Sequence, residues 1–287
     1  MSAAHIYQIF YDDHSRRSLD PGFLPLDNTD NPRPDWFEFW VIRQYLAANT
    51  LNEGEWYGFL SPKFLHKTAI DSRTLHAFVQ FSEGKSEVAL IPVAWDQLAY
   101  FQNPFEQGEV WHPGVTALCQ AIAEDLGLSV ELRDTVYHSG NFTFCNYLIA
   151  KPGYWRRWLA LAEQFFTLAE GGPCRYGERL VPQTNHSRQG LNTPMKAFVQ
   201  ERLPFFLILR DGFSTTTLDV SSSCRIEQPI LGASARTRGL LHACDQLKHS
   251  FLKSNEAEYL EAYRTVRGLI PVQLPAPGTH AARVAQS

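Results

Sequence analysis

Within Pro194–Arg210 (PMKAFVQERLPFFLILR) a single charged pair, Glu201-Arg202, interrupts an apolar run that reads as a helix. An ion in apolar surroundings is costly unless it is paired or used, so this pair is expected either to form a core salt bridge or to serve chemistry. Pro204 lacks the N–H that would reach the carbonyl of Gln200, which should disrupt the turn around Glu201. A carboxyl there, raised in pKa by its neighbours, would suit a general base or a ligand for an acceptor hydroxyl.

Three further polar clusters follow segments of strand character, His5–Tyr11, Trp56–Leu60 and Glu87–Val93. They are Asp12-Asp13, Ser61-Pro62-Lys63 and Asp96-Gln97. In open α/β sheets, ligands bind beyond the carboxyl ends of the strands, so each cluster is a candidate. Lys63 could meet a phosphate as a point charge or simply be solvated. Asp96, beside Trp95, Tyr100 and Phe101, reads either as a half-buried acid of raised pKa or as a helix cap. Glu106-Gln107-Gly108-Glu109 with Trp111-His112-Pro113 reads as a polar and aromatic loop. It offers a flat face and hydroxyl partners to a sugar ring, although ordinary loop packing uses the same residues.

The elements that must position these groups are read from periodicity. Asp12–Pro34, rich in Pro, Asn and Asp, reads as a long ordered loop. A helix is expected from Pro34-Asp35, capped by Asp35, with Trp36, Phe39, Trp40, Arg43 and Leu46 on one face. Further helices are expected over Ser72–Phe81, His112–Leu126 (with Pro113 in the first turn), Pro152–Glu170 and Pro194–Arg210, and one or two over Ala233–Arg267. Phe142–Ala150 reads as a strand and Gly171–Asn192 as a polar loop. Alternating strands and helices indicate an α/β layered domain over 1–210. A mostly helical extension over 211–270 and a flexible tail or linker over 271–287 would follow.

Composition removes several classes of function. The 287 residues carry 26 Lys and Arg against 30 Asp and Glu, a formal charge of −4, with no basic cluster to hold a nucleic acid. No apolar stretch reaches membrane-span length, and the first 17 residues lack the basic start and apolar core of a secretory leader. Cys119, Cys145, Cys174, Cys224 and Cys244 form no C-x-x-C, which points to a reducing compartment. His242, Cys244 and His249 do not make a zinc pattern. Motifs for dinucleotides, P-loop phosphates and serine hydrolases are missing, and so is D-x-D; Glu53-Gly54-Glu55 precedes a strand. Of the seven Trp, Trp36, Trp40 and Trp158 suit helix packing, whereas Trp95 and Trp111 fall where a sugar could stack.

Taken in order, IYQIFYDD, LDPGFLPLDNTDNPRPDWFEFW, WYGFLSPKF, WDQLAYFQNPFEQGEVWHPG, NFTFCNYLIAKPGYWRRWL and FVQERLPFFL resemble bacterial surface-polysaccharide glycosyltransferases. More distantly they are similar to GT-A-type capsular galactosyltransferases. The corresponding pieces are Tyr57-Gly58 to Lys63, Asn146-Tyr147-Leu148-Ile149 and Glu201-Arg202-Leu203, spanning roughly residues 5–210.

The resemblance implies an α/β, GT-A-like (Rossmann-like) fold with a central mixed sheet flanked by helices. It implies a hexosyltransferase of capsule or lipopolysaccharide assembly that moves a sugar from a nucleotide-sugar donor to a glycan or lipid-linked glycan. Such an enzyme would be cytoplasmic, at the inner face of the membrane, with at most peripheral association. Donor contacts would come from Tyr7, Gln8, Ser61, Lys63 and Asp96, and acceptor contacts from Glu106, His112, Asn146 and Arg202. Glu201 is the expected base, with Asp96 and Glu106 as rivals. Without D-x-D, the leaving diphosphate would be met by a divalent cation, Mn or Mg, on Asp96 alone, or by Lys63 and Arg43 with no metal; the second is expected. A non-catalytic carbohydrate-binding or scaffolding protein of the same fold is the main alternative. A glycoside hydrolase with an Asp96–Glu106 pair is the other.

Overall fold

A computed structural model describes residues 2–171, 176–181, 183–186, 191–227 and 229–274. The chain order is β1 (Ala4–Phe10), α1 (Asp13–Arg17), β2 (Leu24–Asp27), a 3-10 turn (Pro34–Trp36), α2 (Phe37–Ala48), β3 (Trp56–Leu60), α3 (Phe64–Thr68) and α4 (Ser72–Ser82). There follow β4 (Val88–Leu90), α5 (Trp95–Tyr100), α6 (Pro104–Trp111), α7 (Val115–Asp125), β5 (Leu148–Ala150) and α8 (Pro152–Glu170). The last part comprises α9 (Gly177–Leu180), the hairpin β6 (Gln183–His186) and β7 (Leu191–Pro194), α10 (Met195–Gln200), α11 (Leu203–Asp211), β8 (Thr215–Thr217), α12 (Ala235–Ser254) and α13 (Ala257–Arg267).

The main sheet has six strands in the order β2-β1-β3-β5-β4-β8. Only β5 runs against its neighbours, pairing antiparallel with both β3 and β4. The residues before β5 therefore arrive at the same sheet edge where β1, β2, β3 and β4 end. Side chains alternate between two buried faces, as a sheet covered on both sides requires. Ile9, Phe59, Leu90 and Leu148 face one core, under α2, α7, α8, α10 and α11. Ile6, Leu60, Ala89 and Ile149 face the other, under α4, α5 and α12. The protein is an α/β structure with an open mixed sheet flanked by helices, compatible with a Rossmann-like fold. Gly58 sits opposite Ile149 in the β3–β5 register, and a Cβ there would overlap the Ile149 side chain; only glycine lets these two strands approach.

Several sequence expectations are corrected. Asp12–Pro34 is not all loop: Asp12 caps α1 through a reciprocal Asp12–Ser15 capping box, and Leu24–Asp27 adds the edge strand β2. Asp35 does not cap α2. Its carboxylate takes Arg33 at 3.0 and 2.9 Å and the ammonium of Lys196, which also reaches Glu170 at 3.2 Å. Glu106–Trp111 is helical, because Asn103 accepts from the N–H groups of Phe105 and Glu106 and Pro104 fills the first turn. Within Phe142–Ala150 only Leu148–Ala150 is strand, and Gly171–Asn192 contains α9, β6 and the start of β7. Residues 211–270 also contribute β8 to the sheet edge. Of the tail expected over 271–287, residues 271–274 are tied back instead, Val272 bridging Ile230 and Gln273 N donating to Pro229 O at 2.9 Å; 275–287 lie outside the described residues.

Candidate functional site

A cavity of about 640 Å³ lies at the carboxyl edge of β1, β2 and β3. It falls beside β1, where the chain turns first to β2 on one side and then crosses to β3 on the other, the position at which open α/β sheets bind ligands. Most of its wall comes from six short segments, joined by Lys67 of α3 and Thr193 of β7. Tyr11 follows β1, Asn28 and Thr29 follow β2, and Ser61-Pro62-Lys63 follows β3. Phe37 and Glu38 open α2, Cys145-Asn146 precedes β5, and Gln200-Glu201 closes α10.

Backbone strain concentrates here. Phe37, Cys145 and Asn146 all adopt positive φ (50°, 61° and 54°), conformations that side-chain-bearing residues rarely take and that the surrounding structure must hold. Glu201 sits in the break between α10 and α11. Pro204 falls in the first turn of α11, so the disruption expected from the sequence is present and leaves the carboxyl half-buried on the cavity wall. Burial raises its pKa, while Arg202 and Lys67 pull the other way.

The polar atoms are unusually incomplete. Asn28 Nδ2, Asn146 Oδ1 and Gln200 Oε1 are buried without a hydrogen-bond partner, and all three residues line this cavity. Buried amides are normally satisfied, so three orphans on one cavity mark places where a ligand can supply the missing bonds. Carboxylates enter from Glu38 and Glu201, ammonium groups from Lys63 and Lys67, and flat apolar surface from Tyr11, Phe37, Phe39, Phe59 and Phe198. Burial, and then the Glu38 carboxylate beside it, hold the Tyr11 phenol protonated far above its usual range.

Of the residues singled out in the sequence, Ser61, Lys63, Asn146 and Glu201 meet in this cavity. The Ser61 hydroxyl is 2.5 Å from that of Tyr147. Gln8 lies behind it, fully buried, donating to Ser61 O at 3.5 Å and accepting from Asp20 N at 2.9 Å, so it shapes the Ser61 turn without lining the cavity. Tyr7 bonds Tyr45 at 2.5 Å and stacks on Phe59. His112 stacks on Phe198 at 3.4 Å and backs the wall from outside.

The others are placed elsewhere. Glu106 receives Gln102 N at 2.7 Å and pairs with Arg267 at 2.6 Å. Arg202 is buried, donating to the carbonyls of Phe198 (2.5 Å) and Pro104 (3.0 Å). Arg43 is held by Glu163 at 2.6 and 2.8 Å. Trp95 is core, packed on His242, and Trp111 does not line the cavity. Tyr11, Asn28, Glu38, Lys67, Cys145 and Gln200 were not anticipated. For Lys67 a signal existed: it lies four residues after Lys63, one helical turn along the same face.

Asp96 is fully buried on α5, accepting from Glu227 N at 2.8 Å, away from the cavity. Burial raises its carboxyl from 3.8 to about 6, with the N–H groups of Glu227 and Gln97 opposing. The folded state thus keeps this proton longer than the unfolded chain. Its contribution to stability is complete below about pH 4 and is lost as pH rises through about 6, a swing of about 3 kcal/mol at most. Asp96→Asn is expected to flatten the pH dependence of the unfolding free energy between those values in urea titrations; an unchanged slope would contradict this placement.

Asp96 cannot serve the cavity as a metal ligand from where it lies, and among the described residues no three His, Cys, Asp or Glu gather as a cation site. Also among the described residues, no helix is long and apolar enough to cross a membrane. No family model, curated protein or solved structure matches the chain.

Proposed function

We propose that the protein is a glycosyltransferase of GT-A-like architecture that moves a sugar from a nucleotide-sugar donor to a glycan acceptor. The observation that carries the reading is the set of three orphaned amides, Asn28, Asn146 and Gln200, converging on one cavity with two ammonium groups and two carboxylates. Amides and carboxylates beside aromatic faces are what a sugar needs, since its hydroxyls both donate and accept and its C–H faces are apolar. Ammonium groups answer a phosphate. A nucleotide sugar presents both chemistries in one molecule, and the cavity volume lies within the range of small-molecule sites.

In this reading Glu201 takes the proton of the acceptor hydroxyl, which attacks the anomeric carbon as the bond to the diphosphate breaks. Asn146 and Gln200 hold sugar hydroxyls, and Lys63 faces the phosphate. The ordered resemblance to surface-polysaccharide enzymes supports a role in capsule or lipopolysaccharide assembly at the cytoplasmic face of the membrane. The presence of Glu38 and Glu201 on one cavity keeps a carboxylate-pair hydrolase as a second reading, with those residues in place of Asp96 and Glu106.

A thermal-shift panel of nucleotides, nucleotide sugars and simple oligosaccharides, with and without Mn²⁺, separates the readings. Stabilisation by one nucleotide and its sugar conjugates, followed by sugar release or transfer, is expected. Stabilisation without turnover would favour a binding protein, and response to oligosaccharides alone a hydrolase.

A further inference from the structure

We propose that Lys67 is the cation that takes the diphosphate in this cavity, and that it does so without a metal ion. The inference rests on the nucleotide-sugar reading for where the diphosphate comes from, but the anion subsite itself can be tested without it. Arg43, the other cation the sequence offered, is removed from consideration by its two-pronged bond to Glu163 and by its position over the Phe166 ring, 4.0 Å from the centroid. Lys63 and Lys67 remain, and both line the cavity.

They differ in what holds them. The Lys63 carbonyl accepts from Lys67 N at 2.9 Å, but its side chain has no hydrogen bond or ion pair among the described residues and so is not held in place. Lys67 reaches across to the segment entering β5. Its Nζ lies 3.2 Å from Cys145 Sγ and 5.8 Å from the centre of the Tyr147 ring. An ammonium has three donors, and a thiol is a weak acceptor. Burial pushes the Cys145 thiol up, with Lys67 opposing, so the sulfur is a neutral neighbour near pH 7. Lys67 is thus directed by the Cys145 sulfur and the Tyr147 ring, feels the Glu201 carboxylate, is exposed to the cavity, and forms no ion pair among the described residues; donors are left for an anion. The left-handed turn at Cys145-Asn146 is what carries the sulfur to this point.

The step balances without a further reactant. The anomeric C–O bond breaks with its electron pair going to the diphosphate oxygen, the acceptor oxygen forms the new C–O bond, and its proton passes to Glu201. Lys67 keeps its protons and supplies a fixed positive charge where negative charge develops.

Calorimetric titration of the full chain with inorganic diphosphate in EDTA tests this. Wild type is expected to bind, Lys67→Met to bind at least tenfold more weakly, Lys67→Arg to stay within about threefold, and Lys63→Met to lose less than Lys67→Met. Because Lys67 is exposed, the melting temperature of Lys67→Met should match wild type. Equal binding by Lys67→Met and wild type, or wild-type binding only when Mn²⁺ is restored, would overturn the proposal, as would no binding at all. Loss in Lys67→Met with no wild-type response to any nucleotide sugar would uphold the anion subsite and overturn the glycosyl-transfer reading instead.

Discussion

Glu201→Gln is expected to lower sugar transfer by a factor of about 10²–10⁴, the usual worth of a general base, while leaving donor affinity unchanged. The substitution keeps the shape of the side chain and removes only its capacity to accept a proton. The break between α10 and α11 sets the carboxyl at the cavity wall, and burial raises its pKa above that of an ordinary glutamate. Arg202 and then Lys67 oppose the rise, and the Glu38 carboxylate adds to it. The rate should therefore rise with pH as Glu201 loses its proton, and Glu201→Gln should lack that limb. Retained transfer would move the role to Glu38, the other carboxylate of the cavity. A parallel loss of donor binding and melting temperature would instead make Glu201 a support of the fold.

Arg202→Ala is expected to destabilise the protein by about 3–5 kcal/mol. Its guanidinium donates to Phe198 O within α10 and to Pro104 O and Gln107 Oε1 on α6, so it ties the break in the helix to a neighbouring element. Removing it leaves two buried carbonyls short of donors, at about 1–3 kcal/mol each, and opens a cavity besides. Gly108 shows how closely the site is built around this side chain, since a Cβ at 108 would overlap the guanidinium. Arg202→Lys should recover only part of the loss, because one ammonium cannot reproduce the planar fork that reaches both helices. Urea unfolding monitored by Trp fluorescence measures this; a loss below about 1 kcal/mol would contradict the role.

These two neighbours were seen together in the sequence, and the structure gives them different surroundings, Glu201 on the cavity wall and Arg202 in the core. The interrupted apolar run and Pro204 made the break legible, but nothing local says which charge faces the cavity and which the core. Position beyond a strand end put Ser61 and Lys63, after a central strand, on the cavity, and did not put Asp96 there. The difference lies in strand order. β5 inserts between β3 and β4, so Asp96 lies beyond the far part of the sheet, and the pairings of β5 join residues about 90 positions apart with β3 and about 60 with β4. Long-range register leaves little trace in a three-residue strand.

Local chemistry explains the other gaps. β2 contains Pro25 and leaves Leu24 exposed, so it shows neither an apolar run nor a clear alternation, and Asn28 after it was hidden. The helix at Pro104 did carry its signal, Asn-Pro at the start, masked by the polar residues that follow. By contrast the Pro152–Glu170 helix and the Trp56–Leu60 strand were read with their observed bounds, the helix by its strong periodicity and the strand as a short apolar run buried throughout. The tryptophans followed the same division: Trp36 and Trp158 are buried packing, and Trp95 proved to be packing too.

The central claim is that the cavity beyond β1, β2 and β3 holds a nucleotide sugar. A crystal structure with the nucleotide sugar that most raises the melting temperature tests it most directly. The expected result is the diphosphate on Lys67 and Lys63, with sugar hydroxyls on Asn146 and Gln200 and the Glu201 carboxyl left facing the acceptor's place. A ligand bound elsewhere, or one leaving Asn28, Asn146 and Gln200 still unpartnered, would contradict the account.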